Sequence, residues 1–207
     1  MNKLVKDALV LTCITVVAGF ALGLVYEITK TPIANAKIAA LQDAYQSVFA
    51  DAASFEAIED FDSEAATEIV QAAGYTDDTI DNVAKAVDAS GNVLGYVITD
   101  TTKAGYGGSI TFSIGITNDS VINGYSITSI SETAGLGMKA TDTGEGSFAS
   151  QFVNRNAEIF TVTKTGASSS SEVDAISAAT ITSKAMTNGI DACVTYFNSL
   201  VGGAANE

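Results

Sequence analysis

Histidine and tryptophan are absent from this 207-residue chain, and it holds only two cysteines and one proline. With no histidine, and with Cys13 and Cys193 far apart in different contexts, no Cys/His cluster is available for a zinc site or a dithiol redox pair. The same gap removes the Ser-His-Asp and Cys-His constellations of hydrolases. A threonine-nucleophile hydrolase also lacks a base. Positive charge is scarce: ten Lys and Arg face 24 Asp and Glu, the formal net charge is −14, and Arg155 is the sole arginine. Such a surface repels phosphate backbones, which argues against nucleic acid as a partner. Any redox chemistry must therefore come from a bound cofactor.

What the chain has first is an uncharged run from Ala8 to Tyr26, about 19 residues, enough for one membrane-spanning helix. Lys3 and Lys6 precede it, and only Asp7 and Glu27 of the 24 acids lie before residue 31. Lysines before the span and an acidic remainder after it place the N-terminus in the cytoplasm and the rest outside the cell membrane, as a single-pass protein. A cleaved signal peptide is the competing reading, with Ala34-Asn-Ala36 as an A-x-A-like site, but that site lies well past the apolar run. Gly19 and Gly23 form a small-xxx-small pair, a weak signal for helix packing.

Beyond the span, Ile38, Leu41, Tyr45, Val48 and Phe49 recur at helical spacing and predict an amphipathic helix over 33–52. The acidic stretch Phe55–Glu68 reads as a solvated helix face or loop, since it lacks the order of a calcium loop. Strands follow. Residues 82–87 and 93–99 flank Asp88–Asn92 as one hairpin, and 109–117 and 121–129 flank Asn118–Ser120 as another. Ile110, Phe112, Ile114 and Ile116 alternate, so one face of that strand is expected to be buried. The fold class is α+β: one N-terminal transmembrane helix, then an antiparallel-sheet domain with flanking helices. The expected division is 1–30 for the N-terminus and span, 31–75 for a connecting helical region, and 76–207 for the domain.

Near the C-terminus, Ser171–Ile176 reads as a short strand that leads into Ser177-Ala178-Ala179-Thr180, followed by Thr182 and Ser183. Met186, Ile190, Cys193, Phe197 and Val201 then mark the apolar face of a helix, and the chain beyond Gly202 is expected to fray. Thr180 falls just before or inside the first helical turn. Free N–H groups and the positive helix end make that position a phosphate site, to which Lys184 adds charge. It also suits an ordinary N-cap, and local chemistry leaves both readings open. Gly105, Gly107, Gly108, Gly135 and Gly137 bracket the second hairpin; they read either as flexible links or as places where a flat ligand approaches the backbone, with Tyr106 to stack on it.

Three segments together carry a resemblance. Asp174-Ala-Ile-Ser-Ala-Ala-Thr180-Ile-Thr resembles the flavinylation motif of the FMN-binding domain family: Asp, two variable residues, Ser or Thr, Gly, Ala, Thr, any residue, then Ser or Thr. Ala178 stands at the usual Gly position. Ser131-Glu-Thr-Ala-Gly-Leu-Gly137 is similar to the family's Ser-Glu-Thr-Pro-Gly-Leu-Gly, with Ala134 for Pro, and Gly105-Tyr-Gly-Gly-Ser-Ile110 is a third match. With the single span, the chain resembles G subunits of Rnf-type ion-translocating ferredoxin:NAD oxidoreductases. That resemblance implies FMN esterified through its phosphate to the Thr180 hydroxyl by a separate flavin transferase. It also implies a flavin contacted by Glu132, Thr133, Gly135 and Leu136, a phosphate near Ser177, Ala178 and Ala179, and other membrane subunits of the complex as partners. Two other readings are the related C subunit of a sodium-translocating NADH:quinone oxidoreductase and a non-redox, membrane-anchored extracellular module.

Overall fold

The computed structural model describes residues 3–204, and its chain divides into two compact units, one ending at Ala40 and the other beginning at Leu41. The first is helical. α1 spans Lys3–Val48 and continues through Pro32 and Ala34-Asn-Ala36 without a break. Among the described residues it is the one helix long and apolar enough to cross a membrane, and Leu9, Val16, Phe20 and Leu24 along it are exposed.

The amphipathic helix expected over 33–52 is the tail of α1, and it stops at Val48 rather than Ala52. Tyr45, Val48 and Phe49 are buried and Leu41 packs partly against them, whereas Ile38 is exposed. The stop has a cause in hydrogen bonding. Gln46 Nε2 donates to the carbonyls of Phe49 (3.3 Å) and Ala50 (3.0 Å), and Asn123 Nδ2 donates to the Val48 carbonyl (3.0 Å). These donors serve the chain end where the helix leaves carbonyls without partners.

The second unit is built on a six-stranded antiparallel meander, β1 to β6 in sequence order: Ser54–Ala57, Asp78–Val87, Val93–Thr102, Ile110–Thr117, Val121–Ser129 and Arg155–Asn156. Both expected hairpins are present, β2–β3 and β4–β5, with Val83 opposite Ile98 and Ile114 opposite Tyr125. The acidic stretch is not simply a loop or helix face. Its first residues form edge strand β1, and its end begins α2 (Ser63–Ala72). Asp62 caps α2 by accepting the N–H groups of Glu64 (2.9 Å) and Ala65 (3.3 Å). Strand Glu172–Asp174, β8, pairs in parallel with β7 (Thr161–Thr163) as a separate small sheet.

α3, Thr180–Ala204, crosses the sheet. Its Met186, Ile190, Cys193 and Phe197 are fully buried against Ile98, Ile110, Phe112, Ile114 and Ile116, and α2 adds Val70 to the same core. Val201 lies outside it and is exposed, while Leu200 beside it still packs against the core. The tail past Ala204 lies outside the described residues. The opposite sheet face is covered too, by Tyr45, Val48 and Phe49 against Ala84, Ala86 and Val97. For that reason Ser113, on the face of β4 expected to be wet, is buried; it bonds Thr99 (2.9 Å), which bonds the Tyr45 hydroxyl (3.2 Å).

Between α3 and the sheet lie three carboxyls that sequence patterning passed over. Asp78, Asp100 and Asp191 are all buried. Asp100 sits between Ile80 and Phe112 in register, and neither carboxyl oxygen has a hydrogen-bond partner. Gly189 of α3 passes so close that a Cβ there would lie 2.9 Å from Asp100 Oδ2 and 2.8 Å from the Phe112 ring. A carboxyl this dry avoids charge by keeping its proton. Burial, helped by Asp78 and Asp81, raises Asp100 to about 9. Burial likewise raises Asp191 to about 8, although its Oδ1 accepts the Phe160 N–H (2.9 Å), and Asp78 to about 6. Burial also pushes the Cys193 thiol well up, which keeps it unreactive.

Stability should therefore depend on pH in one direction. The unfolded carboxyls release their protons near pH ~4, and the folded ones hold theirs to about 6, 8 and 9. The contribution is complete below about pH 4 and is lost as pH rises through those values. Asp100→Asn keeps the shape without the ionisation. It should flatten the slope of stability between about pH 5 and about pH 8 by about 1.4 kcal/mol per pH unit. Urea denaturation of both chains across that range measures the difference, and parallel slopes would refute it.

Candidate functional site

The site is assembled at the start of α3. The chain leaves β8, turns through Ala175–Ala179 and enters the helix at Thr180. Within that turn Ala178 has φ +61°, a left-handed conformation that costs an L-residue with a Cβ roughly 1–2 kcal/mol. The glycine that the flavinylation motif prefers at this place thus has a conformational reason, and Ala178 adopts the same backbone under strain. The N–H groups of Thr180, Ile181 and Thr182 precede the first carbonyls the helix can offer them, so they face outward at its positive end. Thr180 is half-buried, and among the described residues its hydroxyl makes no hydrogen bond, so it does not act as a cap.

Two other segments close around this helix start. After β3 the chain passes Gly105-Tyr-Gly-Gly108, and after β5 it passes Ser131–Gly137 before a short 3-10 turn, Gly137–Thr141. Glu132 joins them. Its side chain is buried, and Oε1 accepts the Gly107 N–H at 3.1 Å. On the other side the Tyr125 hydroxyl, in the core, donates to the Ala140 carbonyl (2.8 Å) and holds the 3-10 turn to the sheet. The result is a cavity of about 580 Å³ lined by Tyr106, Glu132, Thr133, Leu136, Gly137 and the run Ala178–Thr182. Its size falls in the ~300–1,000 Å³ range of small-molecule sites. One wall is polar, formed by helix N–H groups and hydroxyls. At the rim Tyr106, Leu136 and Ile181 are exposed and form an apolar edge.

Of the residues expected from sequence, Tyr106, Glu132, Thr133, Leu136, Ala178, Ala179 and Thr180 come together on this cavity. Gly105 lies behind its wall, packed on the Gly108 carbonyl and the Glu132 side chain. Gly135, at φ +75°, makes the turn that leads to Leu136 and is not itself in the lining. Ser177 faces the other way, because the left-handed Ala178 reverses the chain between it and Thr180. It lines a second cavity of about 350 Å³ with Lys139, Gln151 and Asp174. Lys184 is exposed and outside the lining, one helical turn beyond the mouth.

Ile181 and Thr182 line the cavity without having been expected there, and Gly137, which allowed either a link or a close ligand approach, lines it as well. Gly137 and Ile181 each had a signal. Gly137 ends the Ser131–Gly137 segment, and a Cβ there would come within 2.6 Å of Glu132 Oε2 and 2.7 Å of Thr182 Oγ1. Only a hydrogen fits between those two side chains, so this glycine is a cradle. Ile181 falls off the apolar period of α3, and an aliphatic side chain out of phase faces something other than the core.

Residues 105–195 match the model of the FMN-binding domain family. Among curated proteins the chain is similar to the G subunit of the Na(+)-translocating ferredoxin:NAD(+) oxidoreductase complex of Acetobacterium woodii, 32% identical over 94% of this chain and 92% of that one. The G subunit of the ion-translocating oxidoreductase complex of Methanosarcina acetivorans is 31% identical over 97% and 98% of the two chains. The G subunit of the proton-translocating ferredoxin:NAD(+) oxidoreductase complex of Clostridium ljungdahlii is 36% identical over 57% of this chain and 61% of that one.

The strained turn yields a stability prediction. Ala178→Gly removes the Cβ clash, at the cost of about 0.5–1 kcal/mol of extra chain entropy on folding. The difference leaves a net stabilisation of up to about 1.5 kcal/mol. A rise in the urea midpoint at unchanged slope is the expected result, and a fall in the midpoint would contradict it.

Proposed function

The chain belongs to the family of G subunits of ion-translocating ferredoxin:NAD oxidoreductase complexes, and from that membership we propose that it carries FMN as a phosphoester on Thr180 Oγ. The chain is a membrane-anchored, FMN-binding electron-transfer subunit that works with the other subunits of such a complex. The observation that carries the covalent reading is the state of Thr180. Its hydroxyl is unengaged, half-buried, and set on a cavity wall at the N-terminus of a 25-residue helix.

Ester formation needs an activated donor, and FAD is the chemically apt one. Thr180 Oγ attacks the phosphorus on the FMN side and the Oγ–P bond forms. The anhydride P–O bond breaks, AMP leaves with its electron pair, and the hydroxyl proton passes to a base on a separate flavin transferase. The N–H groups of Thr180–Thr182 then face the one negative charge that the diester keeps. Lys184 adds its charge from outside the cavity. Tyr106, Leu136 and Ile181 would offer apolar surface to a flat ring, and Glu132 and Thr133 would offer it polar groups. When bound, FMN supplies one- and two-electron transfer, and the chain supplies its position. A non-redox extracellular module would leave the family match and the unengaged Thr180 without a purpose. Similarity over nearly the full length of two G subunits favours this complex over the NADH:quinone oxidoreductase.

A lone span offers no path for ions, so coupling belongs to multi-span partners. The relatives' names give sodium in one case and protons in another, so membership leaves the ion open. The charge pattern around α1 favours an extracytoplasmic domain. Protease added to intact spheroplasts should digest the domain; full protection there would reverse the topology.

Thr180→Ala should abolish the adduct in the full chain co-expressed with a flavin transferase, with stability within about 1 kcal/mol of wild type, since the hydroxyl has no hydrogen bond to lose. Thr180→Ser should keep part of it, since the attacking oxygen remains. In-gel fluorescence after denaturation reads the adduct, and peptide mass spectrometry places it. A wild-type chain with no adduct on the peptide containing Thr180 would overturn the covalent reading.

A further inference from the structure

We infer that Ser183 is the positioning residue for Thr180: its buried hydroxyl ties the two ends of the attachment turn together and so presents the neighbouring Thr180 oxygen in a reactive pose. The inference rests on the covalent reading above. Ser183 is completely buried. Its Oγ accepts the Ile176 N–H at 2.9 Å and donates to the Ala179 carbonyl at 2.9 Å. Two backbone bonds complete the closure, from Ala179 N–H to the Ile176 carbonyl and from Ser183 N–H to the Ala179 carbonyl, each 3.0 Å. One hydroxyl thus bridges Ile176, early in the turn, and Ala179, the residue just before Thr180, with strained Ala178 enclosed between them.

Each alternative to this closure is costly. Helix starts are ordinarily held by a Ser, Thr, Asp or Asn cap, but the residue before Thr180 is Ala179, which has no side chain to give. The Thr180 hydroxyl cannot serve both as a cap and as a nucleophile. Ser183 removes that conflict by holding the turn from inside the helix, one turn along. Without it, the buried Ile176 N–H loses its acceptor, and a buried unpaired donor is a strong penalty against that backbone. The Ala179–Ile176 backbone bond must then hold Ala178 in the left-handed region without help from the hydroxyl. Relaxation there re-aims the first turn of α3, and with it Thr180. Reacting atoms misplaced by about 1 Å can lose about a hundredfold in rate. Ser183 is not among the residues that line the cavity, and its hydroxyl acts through the backbone.

The test uses the full chain in detergent with a flavin transferase and FAD, following adduct formation on Thr180 over time. Ser183→Ala should lower kcat for labelling about tenfold or more while KM for the acceptor chain stays the same. Ser183→Thr keeps a hydroxyl that can bond the same carbonyl and should restore a large part of the rate. Val70→Ala, which makes a hole in the core away from the turn, controls for lost stability and should be labelled at the wild-type kcat. Labelling of Ser183→Ala at the wild-type rate, or equal slowing of Val70→Ala, overturns the positioning role. Should Ser183→Ala not fold, hydrogen exchange on the wild-type chain decides. The Ile176 amide should be as protected as those in the middle of α3, and rapid exchange would overturn the inference. If the wild-type chain itself takes no adduct, the covalent reading fails and this role fails with it. A labelled wild type beside an unaffected Ser183→Ala is a failure of the positioning role alone.

Discussion

Everything at the cavity depends on how α3 is seated across the sheet. Met186, Ile190 and Phe197 of the helix lie on Ile98, Ile110, Phe112 and Ile114, all fully buried. That contact sets the height and direction of the first helical turn, so it also sets where Thr180 meets the loops after β3 and β5. The loops are held by polar links, Glu132 to the Gly107 N–H on one side and Tyr125 to the Ala140 carbonyl on the other, and by Ile130 and Ala140 against the core.

The seat is not optimised for stability. Placing Asp78, Asp100 and Asp191 beneath the helix forces them to keep protons at pH values where free carboxyls would have lost them. Gly189 lets the helix approach Asp100 and Phe112 directly, so the acid is sealed by backbone rather than by a partner side chain. The formal net charge of −14 counts these three carboxyls as ionised, so the protons they hold make the chain less negative than that count. A sheet–helix contact built this way is firmest in acid and loosens in base.

Legibility in the sequence followed the local or non-local origin of each feature. The hairpins were readable because the turn chemistry at Asp88–Asn92 and Asn118–Ser120 lies within a few residues of the strands it joins. The start of α3 was readable because small residues, hydroxyls and an apolar period occur together there. Strand β1 was not, since four mostly exposed residues show no alternation and become a strand only by pairing with β2. The burial of Ser113 and Thr99 was hidden for a similar reason. Polar residues on one face of a strand look like a wet face until Tyr45, more than fifty positions away, covers them. At the site, position within a motif located Thr180 and Glu132 on the cavity. It could not tell that Ser177 faces away from it, because that depends on the sign of one backbone angle at Ala178.

That angle also bears on why a departure from the motif is tolerated. Glycine at 178 would adopt φ +61° without strain, and alanine adopts it only while its surroundings insist. The insistence comes from both ends of the turn, through Ser183 on the helix side and through the pairing of Asp174 with Gln151 on the strand side, where the Asp174 N–H donates to Oε1 (2.6 Å) and Nε2 donates to its carbonyl (3.1 Å). Two anchors around four residues leave the backbone little room to relax, so the cost of the alanine is taken up by the frame rather than by displacement of Thr180. The strain is then a local loss of stability and not a loss of geometry. A chain can carry that substitution as long as both anchors remain, and a change at either anchor should be felt more strongly here than in a relative with glycine at the same place.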